Sequence, residues 1–126
     1  MLIIVLVRKE LRAHVSSIST ASAGIGFLNT LGNKGGVALR IQIRDTTLCF
    51  VNSHLAAYDE MVDKRNSDYH ELCRRLLFPL LAATPAEAAS SPAASATIFD
   101  CDCLFWMVRT CFHLPVDILI NDSSGR

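Results

Sequence analysis

The sequence predicts an α/β fold, and three stretches carry that reading. Val37 to Arg44 alternates, with Val37, Leu39, Ile41 and Ile43 on one side and Ala38, Arg40, Gln42 and Arg44 on the other. That period of two belongs to a half-buried strand. Thr47 to Ser53 is a second strand-like run, separated from the first by Asp45 and Thr46, so 37–53 reads as a β-hairpin. Residues 59–77 then change period, with Met61, Val62, Tyr69, Leu72, Cys73, Leu76 and Leu77 on a helical stripe.

The other elements can be taken in chain order. MLIIVLV at the start is seven residues long, too short for the roughly twenty a membrane helix needs. Its positive charges, Arg8 and Lys9, come after the apolar run, whereas a signal peptide places them before it. It reads as a buried strand. Residues 15–23 are β-branched and small and read as another strand. GIGFLNTLGNKGG holds five glycines in thirteen positions, a loop that needs unusual backbone angles or close approach. The helix has Asp59 and Glu60 in its first turn and Arg74 and Arg75 near its last, each suited to the helix dipole, and Pro79 ends it. Arg65 and Asn66 interrupt its apolar face. Residues 82–97 are rich in alanine, serine and proline and read as a flexible insertion. Ile98 to Met107 reads as a last strand.

The chain's 126 residues, 51% of them hydrophobic, suffice for one small core. Twelve basic and twelve acidic side chains cancel, which argues against a strongly basic nucleic-acid-binding domain. An odd count of five cysteines points to a reducing compartment, and the spacing of Cys101, Cys103 and Cys111 matches no standard zinc pair. Free or buried thiols are the favoured reading.

Two places could carry chemistry. In Gly32-Asn33-Lys34-Gly35-Gly36, an amide and an ammonium sit on a loop with available backbone N–H groups. Such a loop can hold an anion, although chemistry alone favours a solvated turn. It is neither a dinucleotide fingerprint nor a P-loop: Asn29 replaces the third glycine of the first, and no Ser or Thr follows Lys34 as the second requires. In CFVNSHLAA, an apolar strand ends on Asn52, Ser53 and His54. A histidine there is more often a hydrogen-bonded structural residue; its functional reading is a proton donor or charge stabiliser. Asn52 shares its face and could orient a ligand or His54. Ser53 points the other way and lacks a base, which speaks against a serine nucleophile. Arg65 and Asn66 read as anchors for a loop rather than as reacting groups.

GNKGGVALR, CFVNSHLAA and KRNSDY, in that order and spacing, resemble the inositol polyphosphate 5-phosphatases of the Lowe-syndrome-protein-like type. The resemblance implies a part of the four-layer α/β sandwich of the endonuclease/exonuclease/phosphatase superfamily, with residues 1–107 as a partial catalytic domain and 108–126 as a divergent tail. It implies hydrolysis of the 5-phosphate of a phosphoinositide or inositol polyphosphate by a Mg2+-activated water, without a covalent intermediate. His54 then corresponds to the histidine that stabilises the scissile phosphate, with Asn52 beside it in the catalytic set, and Asn33 and Lys34 correspond to a loop near the headgroup phosphates. The implied setting is the cytoplasm at a peripheral membrane surface, with no nucleic-acid partner.

The resemblance also has a limit. The next block of the pattern reads Trp-x-Gly-Asp-x-Asn-Tyr-Arg, and here Trp106-Met107 is followed by Val108-Arg109-Thr110-Cys111. The aspartate and asparagine of the catalytic centre are missing, and the metal-binding glutamate would fall before Met1. A second reading therefore stands beside the first: an inactive fragment that keeps at most weak headgroup binding. Half a sandwich would leave apolar faces and strand edges exposed, so poor folding and aggregation are expected.

Overall fold

The computed structural model describes residues 1–25, 34–79 and 95–109. Strands β1 (Val15–Gly24), β2 (Gly35–Ile43) and β3 (Thr46–His54) form an antiparallel meander. The two-residue turn at Arg44 and Asp45 confirms the hairpin, and Arg44 takes the positive φ of 53° that such a tight connection demands. After β3, a single 3₁₀ turn at Asp59–Met61 leads into helix α1 (Val62–Arg75). Two short strands, β4 (Leu77–Pro79) and β5 (Ser95–Thr97), pair antiparallel, and β6 (Cys103–Arg109) returns beside β3 in parallel. The main sheet has the order β1-β2-β3-β6. A parallel return needs a crossover, and α1 lies within it.

Helix α1 covers one face of the sheet. Leu72 and Leu76 are fully buried there with Ala23, Ala38, Cys49 and Val51, and Phe78, Ala96 and Ile98 close the cluster from the β4–β5 side. Gly36 lets the helix come this close: a Cβ at that position would stand 3.1 Å from both terminal methyls of Leu72. The opposite face carries Ile18, Val37, Leu39, Phe50, Phe105 and Met107, with Phe50 and Phe105 stacked at 5.0 Å.

Several expectations are corrected. MLIIVLV is neither paired nor buried: Leu2, Ile4 and Leu6 are exposed, Leu6 by 90%. Among the described residues no strand shares a ladder with the segment, and the carbonyl of Leu2 accepts a hydrogen bond from the Asn52 side chain. The alternation of 37–44 holds, but α1 covers the Gly36 and Ala38 side rather than the side of Val37 and Leu39. The helical stripe is confined to the last turns, because Val62, Tyr69 and Leu77 are exposed and Asp68 takes an inward position.

Ser95–Thr97, at the end of the expected insertion, forms β5 and buries Ala96. The expected strand at 98–107 begins five residues later. Asp100 accepts from the Thr97 N–H at 2.7 Å and the Thr97 hydroxyl at 2.8 Å, which folds 98–102 into a turn. The strand then runs on to Arg109. The four cysteines within the described residues are free thiols. Asn33, most of the glycine loop and residues 110–126 lie outside the described residues.

Candidate functional site

The cross-strand register assembles the site. Gly35 pairs with His54 across β2 and β3, and His54 pairs with Arg109 across β3 and β6. Lys34, one residue before β2, brings its ammonium Nζ to 3.3 Å of His54 Nε2. A charged ammonium can only donate, so Nε2 is the accepting nitrogen and the ring proton sits on Nδ1 in this arrangement. The two residues named separately from the sequence are therefore brought together at one end of the sheet, both half-buried.

Asn52 lies on the same face as His54, but its amide donates to the Leu2 carbonyl at 3.0 Å. It ties the N-terminal segment to the sheet, and the described contacts do not include one with His54. Ser53 is fully buried on the helix side, where its Oγ accepts from the Trp106 indole N–H at 2.9 Å. That explains the polar run at the end of an apolar strand. Each of its three side chains has its own partner, and none is left unsatisfied among the buried side chains described.

The connection between His54 and α1 is held from the helix. Asp68 is 2% exposed, accepts the Ala56 N–H at 3.0 Å and forms an ion pair with Lys64 one turn earlier. Arg65 donates to the carbonyl of Tyr58 and, at 3.4 Å, to that of Asp59. Tyr58 has a φ of 76°, a strained angle for a residue with a side chain, so the connection needs such clamps. The anchoring role read for Arg65 is what the structure shows. Asp68 was missed as a separate residue. The signal available was an aspartate at the position, three after Arg65, that faces the same way on a helix.

No group of three or more His, Cys, Asp or Glu that could hold a metal occurs among the described residues. At the sheet end itself the position three after Trp106, where the family pattern places an aspartate, is Arg109. A guanidinium offers only donors and is no metal ligand. The described residues do not fit a divalent cation.

The sequence profile of the endonuclease/exonuclease/phosphatase family 2 matches residues 1–109. The chain belongs to this family. It is 42% identical over 78 residues to the type II inositol 1,4,5-trisphosphate 5-phosphatase of Mus musculus, a match covering 62% of this chain and 8% of that protein. It is 46% identical over 71 residues to the type I inositol polyphosphate 5-phosphatase 13 of Arabidopsis thaliana, covering 56% of this chain and 6% of the relative. The fold resembles the inositol polyphosphate 5-phosphatase domain of SPsynaptojanin, solved with inositol (1,4)-bisphosphate and a calcium ion. The TM-score is 0.61 at 29% identity, over 79% of this chain and 24% of that one. The chain thus spans under a tenth of the length of these two curated relatives. Its fold is a part of the α/β architecture of this family.

Proposed function

We propose that this chain is a phosphate-binding portion of an inositol polyphosphate 5-phosphatase domain, formed by residues 1–107. The complete reaction is Mg2+-dependent removal of the 5-phosphate from an inositol polyphosphate or phosphoinositide, in the cytoplasm and at membrane surfaces for the lipid substrates. The observation that carries the reading is the Lys34–His54 pair at the end of β2 and β3, in a chain of this family.

The chemistry of the pair suits the task. A phosphoryl group in transfer spreads negative charge over its equatorial oxygens, and fixed donors lower the barrier by meeting that charge. Lys34 supplies an ammonium, and His54, once its Nε2 is protonated, supplies a second charged donor. The Gly35 backbone beside them lets an anion come near. Asn33, in the adjoining loop, is proposed as a further headgroup contact.

A second reading has its own support. Arg109 at the place of an aspartate, with no metal cluster among the described residues, favours headgroup binding without turnover. Phosphate release from phosphatidylinositol 4,5-bisphosphate with Mg2+, by the chain beside His54→Ala, separates the two. Release that disappears in the variant supports hydrolysis. Saturable binding with no release from either protein supports the second reading, and neither release nor binding would sink both.

A further inference from the structure

Cys49 and Cys101 are distant in the chain and adjacent in the fold. Arg40 is the cross-strand partner of Cys49, so the two side chains share the α1 side of the sheet. The Arg40 Nε donates to the Asp100 carbonyl at 3.4 Å. Thr47, two residues before Cys49 on the same side, donates its N–H to the Asp102 carboxylate at 2.7 Å and accepts the Asp102 N–H at 2.9 Å. Cys101 therefore sits between two aspartates, each tied to a neighbour of Cys49. Its side chain packs against the buried cluster that holds Cys49, and the two thiols are hydrogen-bonding neighbours. Cys49 is fully buried and Cys101 half-buried. Cys103 lies next to Leu104, the ladder partner of Cys49, but the odd-numbered residues of β6 share the side of Phe50 and Phe105, so its exposed thiol points away.

We propose that Cys49 and Cys101 form an oxidisable dithiol that hydrogen peroxide converts to a disulfide, stapling β3 to the turn before β6. Cys101, half-buried beside Arg40, is the thiol that peroxide reaches first. Its sulfur, once ionised, attacks one peroxide oxygen; the O–O bond breaks, hydroxide leaves, and the proton lost by the thiol makes it water. Cys49 then attacks the sulfenic sulfur of Cys101. The S–S bond forms, the S–O bond breaks, and the departing hydroxide takes the Cys49 proton. Two thiols lose two electrons and two protons, and one peroxide becomes two waters. Burial, and next Cys101, push the Cys49 thiol up to about 11, and burial also raises Cys101 against the opposing charge of Arg40. A reduced pair that gains nothing from ionising is not specially stabilised, so the bridge, once made, resists reduction. Neither step involves Lys34 or His54, and the pair works whether or not the chain binds phosphate.

The test treats the full chain with hydrogen peroxide, blocks the remaining thiols with N-ethylmaleimide, and reads the pairing by non-reducing peptide mapping in a mass spectrometer. The wild type and Cys103→Ser are expected to carry the Cys49–Cys101 bridge. Cys101→Ser is expected to lack it, with the fluorescence of Trp106, the single tryptophan, checking that each variant keeps the fold. Oxidation in urea, where the native contact is gone, should scatter the pairing among the five cysteines. The bridge closes residues 50–100 into a loop. Oxidation should therefore raise the thermal midpoint of the wild type by about 5 °C or more, and dithiothreitol should reverse the rise. No bridge in the folded chain, a bridge from Cys49 to another cysteine, pairing as scattered as in urea, or a midpoint unmoved by oxidation would overturn the proposal.

Discussion

His54 shows how little a single residue says before its neighbours are known. In the sequence it is one histidine after a strand. In the structure its ring accepts from Lys34, twenty residues away in the chain, because two glycines let β2 begin where β3 ends. Asp68 is the reverse case: the sequence reading passed over it, and it is among the most buried side chains. Asp68→Ala leaves the Ala56 N–H buried without a partner, so urea unfolding of the variant should show a loss of about 1–3 kcal/mol.

Cys49 gives a second residue-level expectation. Burial, and next the neighbouring Cys101, push its thiol up to about 11. Its thiolate is scarce at neutral pH, so of the four described cysteines iodoacetamide should label exposed Cys103 first and Cys49 last. Labelling of Cys49 should accelerate as pH rises towards 11. Equal rates at neutral pH would contradict this placement.

At the scale of elements, the hairpin was legible because its signal is local: alternation, a turn and alternation again. The initial MLIIVLV misled because apolar composition reports a wish for burial, and among the described residues no strand pairs with it. The helix misled for a different reason. Its inward face near the N-terminus is polar, since Arg65 and Asp68 hold the strained connection after His54, and periodicity of apolar residues cannot reveal that. Close approach of α1 to β2 depends on Gly36. Gly36→Val should cost about 1–3 kcal/mol in thermal unfolding through overpacking against Leu72 and Leu76.

The turn before β6 has its own acid sensitivity. The Thr97 backbone N–H first, and its hydroxyl second, hold the Asp100 carboxyl below the usual range. A folded value below the unfolded one stabilises fully above the unfolded value, about 3.9, and the gain is lost as pH falls through the folded value. Circular dichroism from neutral pH downwards should therefore show wild type and Asp100→Asn converging at low pH, with the wild type the more stable above about pH 4.

For the whole molecule, the sequence reading and the structure agree on an incompletely covered sheet. Ile18, Phe105 and Met107 are 62%, 49% and 46% exposed on the face away from α1. Such a face favours association. Gel filtration should show concentration-dependent self-association that Phe105→Thr reduces, and a monomer at every concentration would contradict it. The proposed phosphate site lies at the end of that sheet, at Lys34 and His54. The most direct measurement is the long-range 1H–15N NMR spectrum of the histidine rings during titration with inositol 1,4,5-trisphosphate. The His54 signals are expected to shift saturably towards the protonated form while those of His14 and His70 stay in place. His54 signals that do not move, or that move no more than those of His14 and His70, would contradict phosphate binding at this end of the sheet.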